Sequence, residues 1–248
     1  MKILVINLER STDRRNRMAQ ALSRLGLDFE VLRAVDGRRG EHRAVSRYDE
    51  AATLRRFGHR LNEGEVGCYA SHYAAWQRAV DRATPILVME DDLTLEPGFP
   101  AALAHAEGAI GRLGVLRLAA LSERKALAEE QLDGGYRLAR LEKGGMGTQC
   151  YAVSPAAART LLDHSAVWTM PVDYFLDAFW LHGIPSYALL PYRVTHVEAA
   201  IEATDIGARE PYGPRGLSDY RRHWAKQRDW LLRKAYNIRH RRAGLQPS

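Results

Sequence analysis

Short apolar runs alternate with longer amphipathic stretches along most of the chain, which predicts strands that alternate with helices. The predicted strands are residues 2–8, 29–35, 85–90, 115–121, 136–141, 148–153 and 187–190. The predicted helices are residues 12–25, 62–82, 97–113, 155–164 and 171–182. The first β-α-β order implies a parallel strand pair with a right-handed crossover. Residues 38–60 are polar and basic without a clear period, which predicts an irregular segment with at most a short helix.

This alternation indicates one α/β domain with a mainly parallel sheet flanked by helices. The chain has 248 residues, of which 46% are hydrophobic, enough for a sizeable core. No apolar run approaches the roughly 20 residues that span a bilayer, and the N-terminal run is too short for a signal peptide. Cys68 and Cys150 fit no metal-binding spacing, so a reducing cytoplasm is the expected setting.

Basic residues concentrate at the C-terminal end. Residues 209–248 contain 11 Lys or Arg and 3 Asp or Glu, whereas residues 1–208 contain 25 and 27. We therefore predict a nearly neutral domain at residues 1–208 and a basic amphipathic helical tail at residues 209–248. The neutral body argues against nucleic-acid binding, and no recognition motif accompanies the basic tail.

A stripe of apolar residues runs along the helix predicted in this tail. At 100° per residue its members fall within about a 60° arc, and they are Tyr220, Trp224, Leu231, Ala235 and Ile238. Arg222, Lys226 and Arg233 fall on the opposite side. Such a helix fits a membrane surface with anionic lipid, and the alternative is that the stripe docks on the domain. The expected location is the cytoplasm, peripheral at the inner face of the membrane.

A buried-looking strand ends in three adjacent carboxylates, Glu90, Asp91 and Asp92. Ionised carboxylates repel one another and are costly to take out of water, so their charge requires compensation. In open α/β sheets ligands bind at the carboxyl ends of strands. Because side chains alternate along an extended segment, Glu90 and Asp92 can share a face and offer two oxygen ligands to Mg²⁺ or Mn²⁺. The alternative is a solvated acidic turn.

Several separated motifs, in order, resemble one family. They are Val5-Ile6-Asn7-Leu8-Glu9-Arg10 with Asp13-Arg14-Arg15, Ala34-Val35-Asp36-Gly37, Leu61-Asn62-Glu63-Gly64-Glu65-Val66-Gly67-Cys68 with Ser71-His72, Glu90-Asp91-Asp92, and Gly147-Thr148 with Tyr151 and Ser154. Together they resemble glycosyltransferase family 25, of the bacterial lipooligosaccharide galactosyltransferase type. The resemblance covers residues 3–208.

The resemblance implies a GT-A-like, Rossmann-type fold and a glycosyltransferase. It implies a UDP-sugar donor, usually UDP-galactose, with Mn²⁺ (or Mg²⁺) and inversion at the anomeric carbon. Bacterial members of the family build lipooligosaccharide, and animal relatives galactosylate collagen. The expected reaction is therefore transfer of a hexose, galactose in the first instance, to a hydroxyl of a lipopolysaccharide or another cell-surface glycan. The expected partners are the UDP-sugar and a glycolipid or oligosaccharide acceptor.

Candidate donor-binding residues follow the same motifs: Asn7, Arg10, Asp36, Gly64, Ser71, His72, Glu90, Asp91, Gly147 and Thr148. Arg10 matches the geometry of a diphosphate, although it can instead pair with Asp13. Asp36 fits the ribose or uracil, unless it only forms an Asp-Gly turn. Gly64 and Gly67 permit close backbone approach near a helix start that attracts anions. For His72 the alternative is a hydrogen-bonded structural histidine.

The remaining candidates concern the metal and the chemistry. The predicted metal ligands are Glu90, Asp92 and His196, the last at a position where many bacterial relatives carry Gln. An inverting transfer needs a general base on the acceptor side, away from the metal. Asp173 near a helix start is the first candidate and Asp177, one turn on, the second. The alternative for Asp173 is a first-turn carboxylate stabilised by the helix dipole.

Other functions remain open at this point. Carboxylates at a strand end also serve nucleotidyltransferases and phosphohydrolases, but those need a phosphate-binding loop or a nucleophilic Asp, and the sequence offers neither. A catalytically degenerate protein that binds a glycan or nucleotide sugar is a second alternative. A UDP-glucose or N-acetylhexosamine transferase is a third.

Overall fold

The computed structural model describes residues 1–40, 43–122, 124–196 and 217–240. The strands within these residues are β1 (Lys2–Asn7), β2 (Phe29–Arg33), β3 (Ile86–Glu90), β4 (Leu93–Leu95), β5 (Val115–Arg117), β6 (Ala126–Gln131), β7 (Arg137–Leu141), β8 (Cys150–Val153), β9 (Tyr187–Leu190) and β10 (Val194–His196). The helices are α1 (Thr12–Arg24), α2 (Glu50–Phe57), α3 (Glu63–Asp81), α4 (Phe99–Leu113), α5 (Pro155–His164), α6 (Val172–Asp177), α7 (Phe179–His182) and α8 (Leu217–Arg239).

An eight-stranded sheet in the order β2-β1-β3-β8-β5-β9-β7-β6 forms the centre of the described part of the chain. β1 pairs in parallel with β2 and β3, and β5 pairs in parallel with β9. β8 and β7 run against their neighbours, so six of these eight strands point the same way. This architecture confirms the predicted class, an α/β fold with a mainly parallel sheet, helices on its faces and a C-terminal helix.

Both faces of the central strands are buried, because side chains alternate between them. Ile3 and Val5 of β1 pack with Met18 and Leu22 of α1 and with α4 on one face. On the other face, Leu4 and Ile6 pack with α3, α5 and α6. This two-sided burial explains why β1 and β3 are nearly continuous apolar runs.

The start of α3 is fixed by a capping box, in which the Asn62 side chain accepts from the Glu65 N–H and the Glu65 carboxylate accepts from the Asn62 N–H. The loop after β2 lies directly against this first turn. A Cβ at Gly67 would lie 2.5 Å from the Val35 carbonyl oxygen, and one at Gly37 would lie 1.7 Å from the Glu63 carbonyl oxygen. Two of the sequence motifs therefore meet backbone to backbone, and their glycines allow it.

The structure differs from the predicted elements in three places. β4 and β10 pair with each other outside the main sheet, and β6 is an edge strand whose outward residues, Leu127, Glu129 and Gln131, are exposed. Short non-local strands like these give little periodic signal. The helix predicted at residues 171–182 is instead two short helices, because Ala178 leaves the helical region (φ −84°, ψ 51°). The segment 38–60 contains α2.

The described part of the C-terminal segment is the helix α8, which packs against α2 and α7. Among the helices in the described ranges, none combines the length and the apolar character needed to cross a bilayer. The predicted boundary at residue 208 lies outside the described residues, so the division into two parts stays a prediction.

We predict that Gly67→Ala destabilises the protein by about 3 kcal/mol, because the added methyl group must displace the backbone of residues 35–37. Gly108→Ala is the matched control, since nothing lies within 4 Å of a Cβ at this position in α4. We expect it to stabilise the protein by about 0.5–1 kcal/mol through helix propensity. Urea unfolding of both variants measures the difference, and equal effects would contradict the close packing.

Buried His182 predicts a loss of stability in mild acid. Its Nδ1 accepts from the Ile184 N–H, so Nε2 carries the proton and donates to the Phe175 carbonyl oxygen. Burial lowers the pKa of His182 to about 4, from 6.5. The unfolded chain therefore binds this proton first, and stability falls as the pH drops from about 6.5 towards 4. Between pH 7 and pH 5 the loss is about 2 kcal/mol.

The measurement is urea unfolding at the two pH values for the wild type and for His182→Asn. The variant is expected to lose about 2 kcal/mol less than the wild type over this interval, whatever its stability at pH 7. The same pH dependence in both proteins would show that His182 does not contribute.

Candidate functional site

A cleft opens where β1, β2 and β3 end, at one edge of the sheet. These parallel strands place their carboxyl ends together, which is where α/β sheets bind ligands. Its lining includes most of the predicted donor-site residues together with residues from α1 and α3: Ile6, Leu8, Arg10, Arg14, Ala34, Val35, Asp36, Gly37, Arg38, Gly64, Cys68, Ser71, His72, Glu90, Asp91 and Asp92.

Glu90 is held in this cleft by two side chains from other elements. Its Oε1 accepts from the Thr148 hydroxyl at 2.8 Å and lies 3.6 Å from His72 Nε2. Thr148 stands at the entry to β8, which pairs with β3. The two residues were predicted to belong to one site, and the sheet brings them into contact.

Two buried side chains, Tyr151 on β8 and Trp76 on α3, orient His72. The Trp76 indole N–H donates to the Tyr151 hydroxyl at 2.9 Å, and the same hydroxyl lies 3.0 Å from His72 Nδ1. Burial raises the pKa of Tyr151, so the hydroxyl keeps its proton and can donate it to Nδ1. The Nε2–H of His72 then faces Glu90. His72 is therefore a hydrogen-bonded structural histidine, which was the alternative to a donor-binding role, and it also lines the cleft.

Asp91 lines the same cleft but has partners different from those of Glu90. It is buried, accepts from Asn7 Nδ2 at 2.5 Å and lies 3.5 Å from Arg14 Nε. Burial raises the pKa of Asp91, against the opposing effect of Arg14. Asn7 also donates to the Ser11 carbonyl oxygen. Through these contacts Asn7 and Asp91 join the ends of β1 and β3. Contacts between these two residues and a sugar-nucleotide donor stay predictions.

Cationic side chains line the same cleft as the carboxylates. Arg10 forms an ion pair with Asp36, rather than with Asp13, and Asp36 accepts from the Arg38 N–H. The Ser71 hydroxyl oxygen accepts a hydrogen bond from the Val35 N–H at 2.8 Å, which holds the loop after β2 against α3. Arg14 and Arg38 were not predicted as site residues. They could have been, because each follows a predicted site residue, Arg10 or Asp36, by only a few positions and so lies near the same strand end.

A second set of possible metal ligands lies beside the carboxylates. The ligand atoms of Cys68, His72 and Glu90 lie within 4.8 Å of one another. The spacing between the two cysteines gave no reason to predict a metal ligand at Cys68. The spacing between Cys68 and His72 would have done so, because the two residues are one helical turn apart on α3. Burial, with the nearby charge of Glu90, raises the pKa of Cys68. A thiol and an imidazole suit Zn²⁺, whereas the oxygens of Glu90 and Asp92 suit Mg²⁺ or Mn²⁺.

His196, the third predicted metal ligand, is described only by its backbone. It pairs with Leu93, the residue after Asp92, in the β10–β4 ladder. The chain thus passes next to the carboxylate cluster at this point, as a ligand role requires. The side chain lies outside the described residues, so the role stays a prediction.

The two candidate bases differ in their surroundings. Asp177 accepts from the buried Arg117 at 2.5 Å and from the Gly145 and Met146 N–H groups at 3.1 and 2.9 Å. It is therefore committed to a structural contact. Asp173 is half-buried at the start of α6 and is not among the residues that line the cleft, although its charge helps to raise the pKa of Cys68, which does line it. Its role as the base stays a prediction.

Arg117 and Asp177 together clamp the loop before β8. Arg117 also donates to the Gly147 carbonyl oxygen, while Gly144 and Gly147 have φ of +89° and +79°, which favour glycine. This loop conformation places the Thr148 hydroxyl within hydrogen-bond distance of Glu90. Gly147 therefore shapes the site through its backbone, and Arg117 is a positioning residue that the sequence analysis missed, because its carboxylate partner is 60 residues away.

Known proteins that resemble the chain belong mostly to one family. The family described as glycosyltransferase family 25 (LPS biosynthesis protein) matches residues 1–176. A glycosyltransferase 25 family member of Anopheles gambiae is 32% identical over 186 residues, covering 70% of this chain and 31% of that protein. The human procollagen galactosyltransferase 2 is 28% identical over 200 residues, covering 75% and 31%.

Another human relative is called inactive glycosyltransferase 25 family member 3, and it is 32% identical over 246 residues, covering 86% of this chain and 39% of that protein. The chain spans about a third of the length of these curated relatives. Among solved structures, a mutant Drosophila beta-1,4-galactosyltransferase 7 in complex with manganese, UDP-Gal and xylobiose matches with a TM-score of 0.42 and 12% identity, over 89% of this chain and 79% of that one.

We predict that Asp177→Asn destabilises the protein by about 3 kcal/mol, because it leaves the buried Arg117 guanidinium without its counter-charge. Asp163→Asn, at an exposed position of α5, is the control and should change stability by less than about 0.5 kcal/mol. Chemical denaturation measures both. A stable Asp177→Asn variant would show that the loop before β8 does not depend on this ion pair.

Proposed function

Because the chain belongs to glycosyltransferase family 25, we propose that it transfers a hexose from a UDP-sugar to a hydroxyl group of a glycan. Galactose is the proposed sugar, and a lipopolysaccharide or another cell-surface glycan is the proposed acceptor. Since the chain covers about a third of its curated relatives, their activities are not simply carried over. The proposal instead depends on the chemistry of the cleft.

One observation carries the proposal, namely that carboxylates and guanidinium groups line the same strand-end cleft. Glu90 and Asp92 stand on one side, with Arg10, Arg14 and Arg38 nearby. A nucleotide diphosphate carries negative charge that arginine binds with matched geometry. It also brings oxygen ligands that complete the shell of a divalent cation. A sugar diphosphate therefore satisfies both halves of the cleft.

The proposed metal ligands are Glu90 and Asp92, with His196 as a third. Bound there, Mn²⁺ or Mg²⁺ would offset the charge that develops on the leaving diphosphate. Glu90 is already oriented by Thr148 and by His72, so its carboxylate does not have to reorganise when donor binds. Asp91 supports this arrangement from behind through Asn7 and Arg14.

Asp173 is the proposed general base. It takes the proton of the acceptor hydroxyl while that oxygen attacks the anomeric carbon and the bond to the diphosphate breaks, which inverts the configuration. It stands at the start of α6, outside the carboxylate cluster, and its charge acts on Cys68, a residue of the cleft, which supports this role. Asp177 is not proposed, because Arg117 and two backbone N–H groups already occupy it.

A second candidate is a protein that binds nucleotide sugar or glycan without turnover. The observation that favours this second candidate is that some relatives, such as the human family member 3, are named as inactive. The two candidates differ in one observable, the release of UDP.

We predict that purified protein with Mn²⁺ and UDP-galactose releases UDP, slowly by hydrolysis and faster with a suitable glycan acceptor. EDTA should abolish the release. Asp92→Asn should lower it by about 100-fold or more, because half of the carboxylate charge is lost, whereas Asp81→Asn, an exposed residue at the end of α3, should leave it unchanged. UDP-glucose and UDP-N-acetylhexosamines in parallel identify the donor. Donor binding without any release would favour the second candidate.

Asp173→Asn tests the base. We expect kcat for transfer to fall by about 10²–10⁴-fold, while the affinity for UDP with Mn²⁺, measured by calorimetry, stays within about twofold. The pH dependence of kcat should also lose its acidic limb. A variant with normal kcat, or with weakened UDP binding as its main defect, would assign the base to another residue.

A further inference from the structure

The helix α8 docks on the domain through a polar face. The Tyr236 hydroxyl donates to the Gly183 carbonyl oxygen at 2.8 Å, and Asn237 Nδ2 donates to the Glu142 carbonyl oxygen at 3.0 Å. Asp229 forms an ion pair with Arg56, and the His240 carbonyl oxygen accepts from Arg140 at 2.5 Å. The side of the helix that touches the domain is therefore hydrogen-bonded and charged, and the alternative in which the apolar stripe docks is wrong.

The opposite face is apolar and exposed. Tyr220, Trp224, Leu231 and Ile238 are 66%, 60%, 57% and 73% exposed. At 100° per residue these four side chains fall within about a 40° arc, along most of the helix. A docked helix normally turns such a stripe inward. Here the contacts of the polar face leave it largely exposed, although Trp224 and Leu231 also line a groove between α8 and the domain, together with Ala52 and Thr169.

Cations flank this stripe on both sides. Arg228 and Arg239 lie about 60–80° from its centre in one direction, and Lys234 lies about 60° from it in the other, and all three are exposed. The Lys234 ammonium group lies 4.0 Å from the centre of the exposed Trp230 ring. An apolar stripe with aromatic residues and basic borders is the arrangement of helices that lie in a membrane interface.

Charge separates the two occupants that an exposed apolar stripe admits. A second copy of this chain would bring a like-charged stripe against this one, since a symmetric pair uses the same patch twice. An anionic bilayer instead attracts the basic borders and accepts the apolar side chains. Residues 209–248 carry 11 basic and 3 acidic residues, which strengthens the attraction.

We propose that α8 binds the surface of an anionic phospholipid bilayer, with Tyr220, Trp224, Leu231 and Ile238 inserted at the headgroup boundary. The polar face stays on the domain, so the helix fixes one side of the protein against the lipid. This surface does not depend on the proposed transferase activity.

The test is co-sedimentation of the full chain with vesicles of phosphatidylcholine alone and with 25% phosphatidylglycerol. We expect binding to the anionic vesicles, at least about tenfold tighter than to the neutral ones, because three basic residues border the stripe. The triple variant Trp224→Ser, Leu231→Ser, Ile238→Ser should bind the anionic vesicles at least about tenfold more weakly. These side chains are exposed, and circular dichroism checks that the variant is folded.

The matched control is Leu121→Ser, Leu127→Ser, Val167→Ser, which removes exposed apolar side chains elsewhere, at 53%, 42% and 56% exposure. It should bind like the wild type. Equal binding by the stripe variant and the wild type, or no binding to anionic vesicles, overturns the proposal. So does self-association in sedimentation equilibrium that the stripe variant abolishes, because the stripe would then join two copies of this chain.

Discussion

The contact between Glu90 and the side chains that hold it is the interaction on which the rest of the site depends. A carboxylate at the end of a buried strand is costly unless its charge is compensated. Thr148 from the loop before β8 and His72 from α3 approach it from two sides. His72 is in turn oriented by Tyr151 and, through it, by Trp76. The elements that build the core thus also fix one ligand of the proposed metal, so folding and function share the same contacts.

Much of the fold follows from the sequence, because the central strands are buried on both faces and the main helices are long. The run that became β3 and the Asn62 cap of α3 could be predicted from local pattern alone. The strands β4, β6 and β10 could not, since each is short, exposed or defined only by a distant partner. The break at Ala178 also escaped prediction, because an apolar helical pattern continues through it.

The candidate site could be predicted as a location but not as a set of roles. Strand-end logic placed Glu90, Asp92 and Asp36 at one cleft. It did not show that Asp91 is an anchor for Asn7, or that Arg117 holds Asp177, because these pairs join residues far apart in sequence. For α8 the periodicity identified the stripe, but its outward direction depends on polar contacts that no helical pattern contains.

The most direct test of the central claim is the anomalous scattering of manganese in crystals grown with UDP and MnCl₂. The account predicts a manganese peak within about 2–2.5 Å of carboxylate oxygens of Glu90 and Asp92, bridged to the diphosphate of UDP in the cleft beside the arginines. A peak that instead contacts Cys68 and His72 and leaves Asp92 in solvent, or UDP bound elsewhere, would contradict it.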